Sequence, residues 1–253
     1  MTAPTILALV RHGESAWIAE GRFQGRGDPP LSDVGLRQAA AVGARMAATD
    51  ETPAVPVPNS APVAIWHSPL RRATQTAQAI HEAREADAPL QPLDSLTELS
   101  QGEWEGLTHN EVREQYPEQL AAWRRDPLDN HAPGGESLRD ALARARQARA
   151  TILGSASDPA SADLAGADAP AEPVLGYERR LRASSRPEWA IVAAHDGILR
   201  LLMLDLLGVA IERFWSFPFA LAGITVVDTG SGVARLRAHN LDEHIAALRS
   251  RGI

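Results

Sequence analysis

Residues 5–13 read TILALVRHG: six residues dominated by apolar side chains, Thr5–Val10, closed by Arg11, His12 and Gly13. An apolar run this short, stopped by a polar pair and a glycine, reads as a buried β-strand that feeds a loop. Residues 189–197, WAIVAAHDG, repeat the arrangement, with Trp189–Ala194 as the strand and His195, Asp196 and Gly197 after it. In open α/β sheets ligands bind outside the carboxyl ends of the strands, so this reading puts both imidazoles at one crevice.

Helices and short strands alternate between and around these two runs. Asp28-Pro29-Pro30 breaks the chain, and Ser32 or Asp33 caps a helix expected from about Val34 to Ala48. Val63–Trp66 is a second strand; Ser68 as cap and Pro69 at the first helical position then open a helix through Ala83. A third strand is expected near Leu90–Leu93, with helices at 108–125, broken at Pro117, and at 137–153. A further helix follows His195-Asp196-Gly197 through Leu207. Ile224–Asp228 and Val233–His239, joined by Thr229-Gly230-Ser231-Gly232, read as a closing hairpin. The pattern predicts an α/β fold, a three-layer α-β-α sandwich whose central sheet is mixed and mostly parallel. A single domain over 1–253 is expected, with loop insertions at about 50–62, which holds four prolines, and at 154–188.

Composition narrows the chemistry. All 25 cations among the 253 residues are arginine, and there is no cysteine. This excludes a cysteine phosphatase or protease, a Cys-ligated metal site, disulfides, a P-loop lysine, a Schiff-base enzyme and a protein kinase. The net charge of −7 argues against general nucleic-acid binding. The apolar stretch Ile198–Ile211 carries Arg200 and Asp205 and is too short to span a bilayer. Residues 1–10 lack the charged start of a signal peptide, so the chain is expected to be cytoplasmic.

Five segments in order give the two histidines their context: LVRHGESAWIAEGRFQGRGDPPLSDVGLRQA (9–39), SPLRRATQTA (68–77), LTELSQGEWEGLT (96–108), PGGES (133–137) and VAAHDGILRLLM (192–203). Together they resemble the histidine phosphatase superfamily, in the branch of cofactor-dependent phosphoglycerate mutases and broad-specificity phosphomonoesterases. The resemblance covers the chain except 50–62 and 154–188 and implies the phosphoglycerate mutase-like version of the sandwich. It implies that His12 is the nucleophile that becomes phosphohistidine, that Arg11 and Arg72 bind the phosphoryl oxygens, that His195 completes their pocket and that Glu98 is the general acid and base. Arg22, Gln24 and Gly25 are substrate-contact candidates.

The residue types suit that chemistry. A phosphomonoester carries roughly −1.5 to −2 charge, and its transfer needs mostly positioning and charge stabilisation. Arginine forks supply both, an imidazole nucleophile divides a slow hydrolysis into two displacements, and a carboxyl group protonates the leaving alkoxide. No cofactor or metal is required, and the expected partner is a small phosphorylated substrate, with a homodimer left open as the assembly. The segments LSQGEWEGLTHNEV and PGGES favour hydrolysis over phosphoglycerate mutase activity. A non-catalytic phospho-ligand-binding module is the third reading.

Three positions depart from the family pattern. Ile18 stands where Asn is common, which points to a weaker pocket or a more apolar leaving group. Asp196 stands where Gly is common, and its carboxylate repels phosphate unless it turns away or pairs with an arginine. Arg26 replaces a common Trp at the lip. The other histidines, at 67, 81, 109, 131, 239 and 244, read as surface or loop residues. Trp104 and the cluster Phe214, Trp215, Phe217 and Phe219 read as core and rim packing. Arg144, Arg146 and Arg149 read as a solvated helix face and the Arg179–Arg186 run as a solvated loop.

Overall fold

The computed structural model describes residues 3–85, 88–154, 187–230 and 233–248. Its centre is a six-stranded sheet built from β1 (Ile6–Arg11), β2 (Ile65–His67), β3 (Leu90–Pro92), β4 (Trp189–Ala194), β5 (Ile224–Asp228) and β6 (Arg235–Leu241), in the order β3-β2-β4-β1-β5-β6. The first four strands in that order run parallel, β5 runs antiparallel to β1, and β6 antiparallel to β5. The sheet is therefore mixed and mostly parallel, as predicted. β4 is buried throughout, as the unbroken apolar run WAIVAA requires of a strand covered on both faces.

The helices are α1 (Ala16–Ala19), α2 (Asp33–Ala47), α3 (Arg71–Arg84), α4 (His109–Gln115), α5 (Pro117–Arg125), α6 (Leu138–Leu153) and α7 (Asp196–Leu207). Strand side chains alternate between faces, and β1 sorts its residues accordingly. Ile6, Ala8 and Val10 pack with Val42 and Met46 of α2 and Ala77 and Ile80 of α3, while Leu7 and Leu9 pack with Ala141, Ala145 and Ala148 of α6 and Leu199 and Leu202 of α7. These are the three layers. A smaller apolar cluster around the fully buried Trp104 takes in Val112 and Leu120 and roots α4 and α5 beside the sheet.

Local signals place most helix starts. Ser32 caps α2 by accepting from the Gly35 amide, and Ser137 caps α6 by accepting from the Asp140 amide. The helix after Ser68-Pro69 differs from the prediction. It begins at Arg71 with Leu70 as an N-cap that makes no side-chain bond, while Ser68 Oγ lies 2.8 Å from His195 Nε2 and accepts from the Leu70 amide at 3.3 Å. Residues 50–62 contain no helix or strand. Most of the second insertion, with the Arg179–Arg186 run, lies outside the described residues, as do Ser231 and Gly232 of the hairpin turn. Among the described residues no helix is long and apolar enough to cross a membrane.

Candidate active site

β1 and β4 are parallel neighbours with Arg11 opposite Ala194, so the residues that follow them leave the sheet side by side. Their rings, His12 and His195, lie 5.0 Å apart at 63°. Nδ1 of His12 is 2.6 Å from the Gly13 carbonyl oxygen. A carbonyl can only accept, so Nδ1 carries the proton and Nε2 the lone pair. Nε of Arg72 donates to that lone pair across 3.3 Å. Burial, then the charges of Arg72 and Arg11, hold His12 well below the ordinary imidazole range, and burial followed by Arg72 does the same for His195. Both rings are neutral near pH 7.

Two arginines flank the imidazoles. Arg72, in the first turn of α3, is fully buried, and its guanidinium donates to the carbonyls of Gly27 (2.7 Å) and Gly25 (2.9 Å). Burial lowers its pKa to about 10, which leaves it charged at neutral pH. Gly25 has φ +51°, and a Cβ there would lie 2.3 Å from Glu105 Oε1, so the turn that offers its carbonyl to Arg72 requires glycine. Arg11 donates from Nη1 to the Phe219 carbonyl at 2.6 Å. Nε of Arg11 and Nδ1 of His195 are buried with no hydrogen-bond partner among the described residues. Polar groups so placed beside His12 are the kind that a bound anion satisfies.

Glu98 enters from the other side. Its Oε1 accepts from the amides of Leu99 (2.9 Å) and Ile198 (3.2 Å), and its Oε2 from the amide of Gly197 (3.2 Å), so the carboxyl sits on the first turn of α7. Burial, then the nearby charge of Asp196, raises its pKa, while these amides pull the other way. A Cβ on Gly197 would lie 2.7 Å from Glu98 Oε1, so only glycine lets the carboxyl come this close. The loop that carries Glu98 is clasped by Arg144, whose guanidinium donates to the carbonyls of Ser95 (3.0 Å), Thr97 (2.6 Å) and Glu98 (3.3 Å) and binds both oxygens of Glu136.

A cleft of about 300 Å³ opens over these groups. Arg11, Arg22, Gln24, Gly25 and Glu98 line it directly, whereas His12, Arg72 and His195 lie buried beneath the lining. Arg22 is held by Glu20 (2.6 Å) and the Gly106 carbonyl (2.8 Å), and Gln24 accepts from Ser15 Oγ. Asp196 is neutralised by a two-pronged pair with Arg200 at 3.0 and 2.9 Å. This is the pairing under which its carboxylate can be tolerated beside a phosphate. Arg26 at the lip pairs with Glu136 at 3.4 Å.

Several sequence expectations are corrected here. Arg144 does not face solvent but holds the Glu98 loop, whereas Arg146 and Arg149 lie on a solvated face as expected, 58% and 40% exposed, where they pair with Asp205 at 2.9 and 2.8 Å. His67 is buried, with Nδ1 on the Ser68 carbonyl. His109 and His131 are exposed, as expected of surface histidines, and line the cleft. Ser68, read as a helix cap, belongs to the site as the partner of His195. Trp104, Phe214 and Phe219 are core residues as expected, while Trp215 stands 47% exposed at the cleft mouth. Among the described residues there is no group of three or more His, Asp or Glu side chains that could hold a metal ion.

The model of the histidine phosphatase superfamily (branch 1) matches residues 7–160 and 172–242. The chain is 29% identical to phosphoserine phosphatase 1 of Hydrogenobacter thermophilus over 87% of its own length and 85% of that protein. It is 31% identical to a 2,3-bisphosphoglycerate-dependent phosphoglycerate mutase of Methylobacterium sp., over 82% and 83%. At 32% identity it spans about half the length of three mycobacterial relatives. Among solved structures, mycobacterial glucosyl-3-phosphoglycerate phosphatase superimposes with a TM-score of 0.70 at 26% identity, covering 94% of this chain and 99% of that one. The paired strand-end histidines, the two arginines and the carboxyl on the α7 amides thus stand in a chain that belongs to branch 1 of the histidine phosphatase superfamily.

Proposed function

We propose that the chain hydrolyses small phosphomonoesters through a phosphohistidine formed on His12. The observation that carries this reading is the neutral Nε2 of His12, its lone pair facing the Arg72 guanidinium and with the charge of Arg11 nearby. In the first displacement Nε2 attacks phosphorus, the ester P–O bond breaks, and the proton of the Glu98 carboxyl goes to the departing oxygen. Arg11, Arg72 and His195 carry the charge on the three non-bridging oxygens. In the second, water attacks the phosphohistidine and gives its proton to Glu98. The N–P bond breaks, and inorganic phosphate and the original enzyme result.

The phosphatase names of relatives at 29% and of the structure at TM-score 0.70 support hydrolysis. Phosphoglycerate mutase activity is the second reading, motivated by the relative of that name at 31% identity. The proposal includes metal-free turnover, a cytoplasmic setting and residues 1–253 acting as one domain.

The test is turnover of p-nitrophenyl phosphate by chelator-treated protein, with acid-quenched enzyme analysed for a phosphoryl group on His12. Turnover with label on His12 is expected; absence of both overturns the reading. Rapid interconversion of 2- and 3-phosphoglycerate with a bisphosphorylated primer would select the mutase instead.

A further inference from the structure

The cleft changes character from floor to mouth. Arg11, Glu98 and Asp196 lie toward the floor, whereas Ile18, Phe23, Trp123, Phe214 and Trp215 form an apolar, mainly aromatic patch among polar lining residues that include Gln24, Gln101 and Asn130. The rings of Trp123 and Trp215 meet edge to face at 5.5 Å, and Phe214 meets Trp215 at 4.8 Å. A half-exposed tryptophan fixed by two aromatic neighbours offers a rigid apolar surface at little conformational cost on binding.

Arg200 ties this rim to the floor. Its guanidinium lies 5.3 Å from the centre of the Trp215 ring and 5.6 Å from that of Phe214, and it donates to the Phe214 carbonyl while gripping Asp196. The acidic and basic side chains along the described lining above the floor are committed to partners, Arg22 to Glu20 and a carbonyl and Glu136 to Arg144, and on the floor Asp196 is paired with Arg200. A carboxylate or second phosphate on the substrate would compete with these pairs, whereas an uncharged ring can lie against the aromatic side chains.

We propose that the aromatic rim is the leaving-group subsite and selects phosphomonoesters of uncharged, ring-bearing alcohols, with Trp123 and Trp215 as the contact surface and Arg200 as the residue that positions Trp215. This rests on the phosphatase reading and adds a substrate class to it. Benzyl phosphate and glycerol 1-phosphate test it, since both release a primary alkoxide and differ mainly in the ring. KM for benzyl phosphate is expected about tenfold below that for glycerol 1-phosphate, a difference of about 1.4 kcal/mol, and phosphoserine should be no better than glycerol 1-phosphate.

Trp215→Ala should bring the ratio of the two KM values close to one, and Trp215→Phe, which keeps a ring, should restore most of it. Circular dichroism confirms that the variants are folded. Equal KM values in the unmodified enzyme, or a ratio unchanged in Trp215→Ala, would overturn the subsite and leave the phosphatase reading standing. No turnover of any phosphomonoester would overturn both.

Discussion

Arg72 and His12 meet through Nε and Nε2 at 3.3 Å, so the imidazole nitrogen that carries the lone pair faces a fixed, buried positive charge. Two other donors of the same guanidinium are anchored on Gly25 and Gly27, which fixes the fork without any flexible partner. A fork held this way is preorganised for charge that appears at phosphorus, and preorganised donors are worth most where water is excluded.

Lysine at this position keeps a charge but cannot reach His12, Gly25 and Gly27 at once. Arg72→Lys is therefore expected to lower kcat/KM about 10²-fold or more and to cost about 1–3 kcal/mol of stability through the two carbonyls left short of a donor. Steady-state kinetics and urea unfolding measure the two effects. A variant with near-normal kcat/KM would mean that Arg72 is only a strut for the 25–27 turn.

Glu98 is expected to act on the leaving group, which can be read from substrates rather than from a rate alone. An alkoxide needs a proton on departure, whereas p-nitrophenolate does not. Glu98→Gln should slow hydrolysis of an alkyl phosphate by about 10²–10⁴-fold and that of p-nitrophenyl phosphate far less. Gly197→Ala, whose methyl would crowd Glu98 Oε1 to 2.7 Å, and Arg144→Lys, which loosens the carbonyls of 95, 97 and 98, should show milder forms of the same selective loss. Equal losses on both substrates would remove Glu98 from the proton transfer.

The sheet and its two histidines were legible because a fully buried parallel strand leaves an unbroken apolar run, and its end is marked by the first polar residues and glycine. Arg144 was misread for a physical reason. Helical spacing says which residues share a face but not what covers that face, and here the cover is a loop more than 40 residues earlier in the chain. Ser68 failed in the opposite sense. Ser-Pro is a good local start signal for a helix, but the hydroxyl is engaged by His195, 127 residues away, and α3 starts later. Glu98 stood apart from Glu103 and Glu105 only through the family motif. What distinguishes it physically is the contact with the α7 amides, which no local pattern encodes.

Asp196 and Arg200 should behave as one unit. Arg200→Met leaves the Asp196 carboxylate with only the longer Arg11 contact at 3.9 Å and the Phe219 amide, so weaker phosphate binding and lower stability are expected. Replacing Asp196 by Gly in the same chain removes the offending charge. The double variant should therefore recover much of the lost affinity for inorganic phosphate as a product inhibitor, and the cycle should show a coupling of about 0.5–3 kcal/mol. Strict additivity of the two changes would mean that the pair does not control the pocket's charge.

The pKa shifts set opposite pH dependences for rate and stability. His12 must be neutral to attack, and its pKa lies well below 6.5, so the acid limb of kcat/KM is expected below pH 6.5. Glu98 must hold a proton, and its pKa is raised above 4.5 by burial and by Asp196, so the alkaline limb lies above pH 4.5 and should move toward acid in Asp196→Asn. For stability, the depressed values of His12 and His195 mean that the unfolded chain binds more protons near pH 6. Their contribution is complete above pH 6.5 and is lost as the pH falls through the folded-state values. Glu98 acts in the other direction: its raised value favours the folded chain below pH 4.5, and that contribution fades as the pH rises through its folded-state pKa. His109, His239 and His244 are also held low, chiefly by burial, so with five imidazoles against the Glu98 carboxyl the thermal midpoint should fall as the pH goes from 7 to 5.5, and less steeply in His195→Gln. A midpoint that is flat over that range in the unmodified chain would show that the imidazoles are not held neutral by the fold, and the neutral nucleophile on which the mechanism depends would go with them.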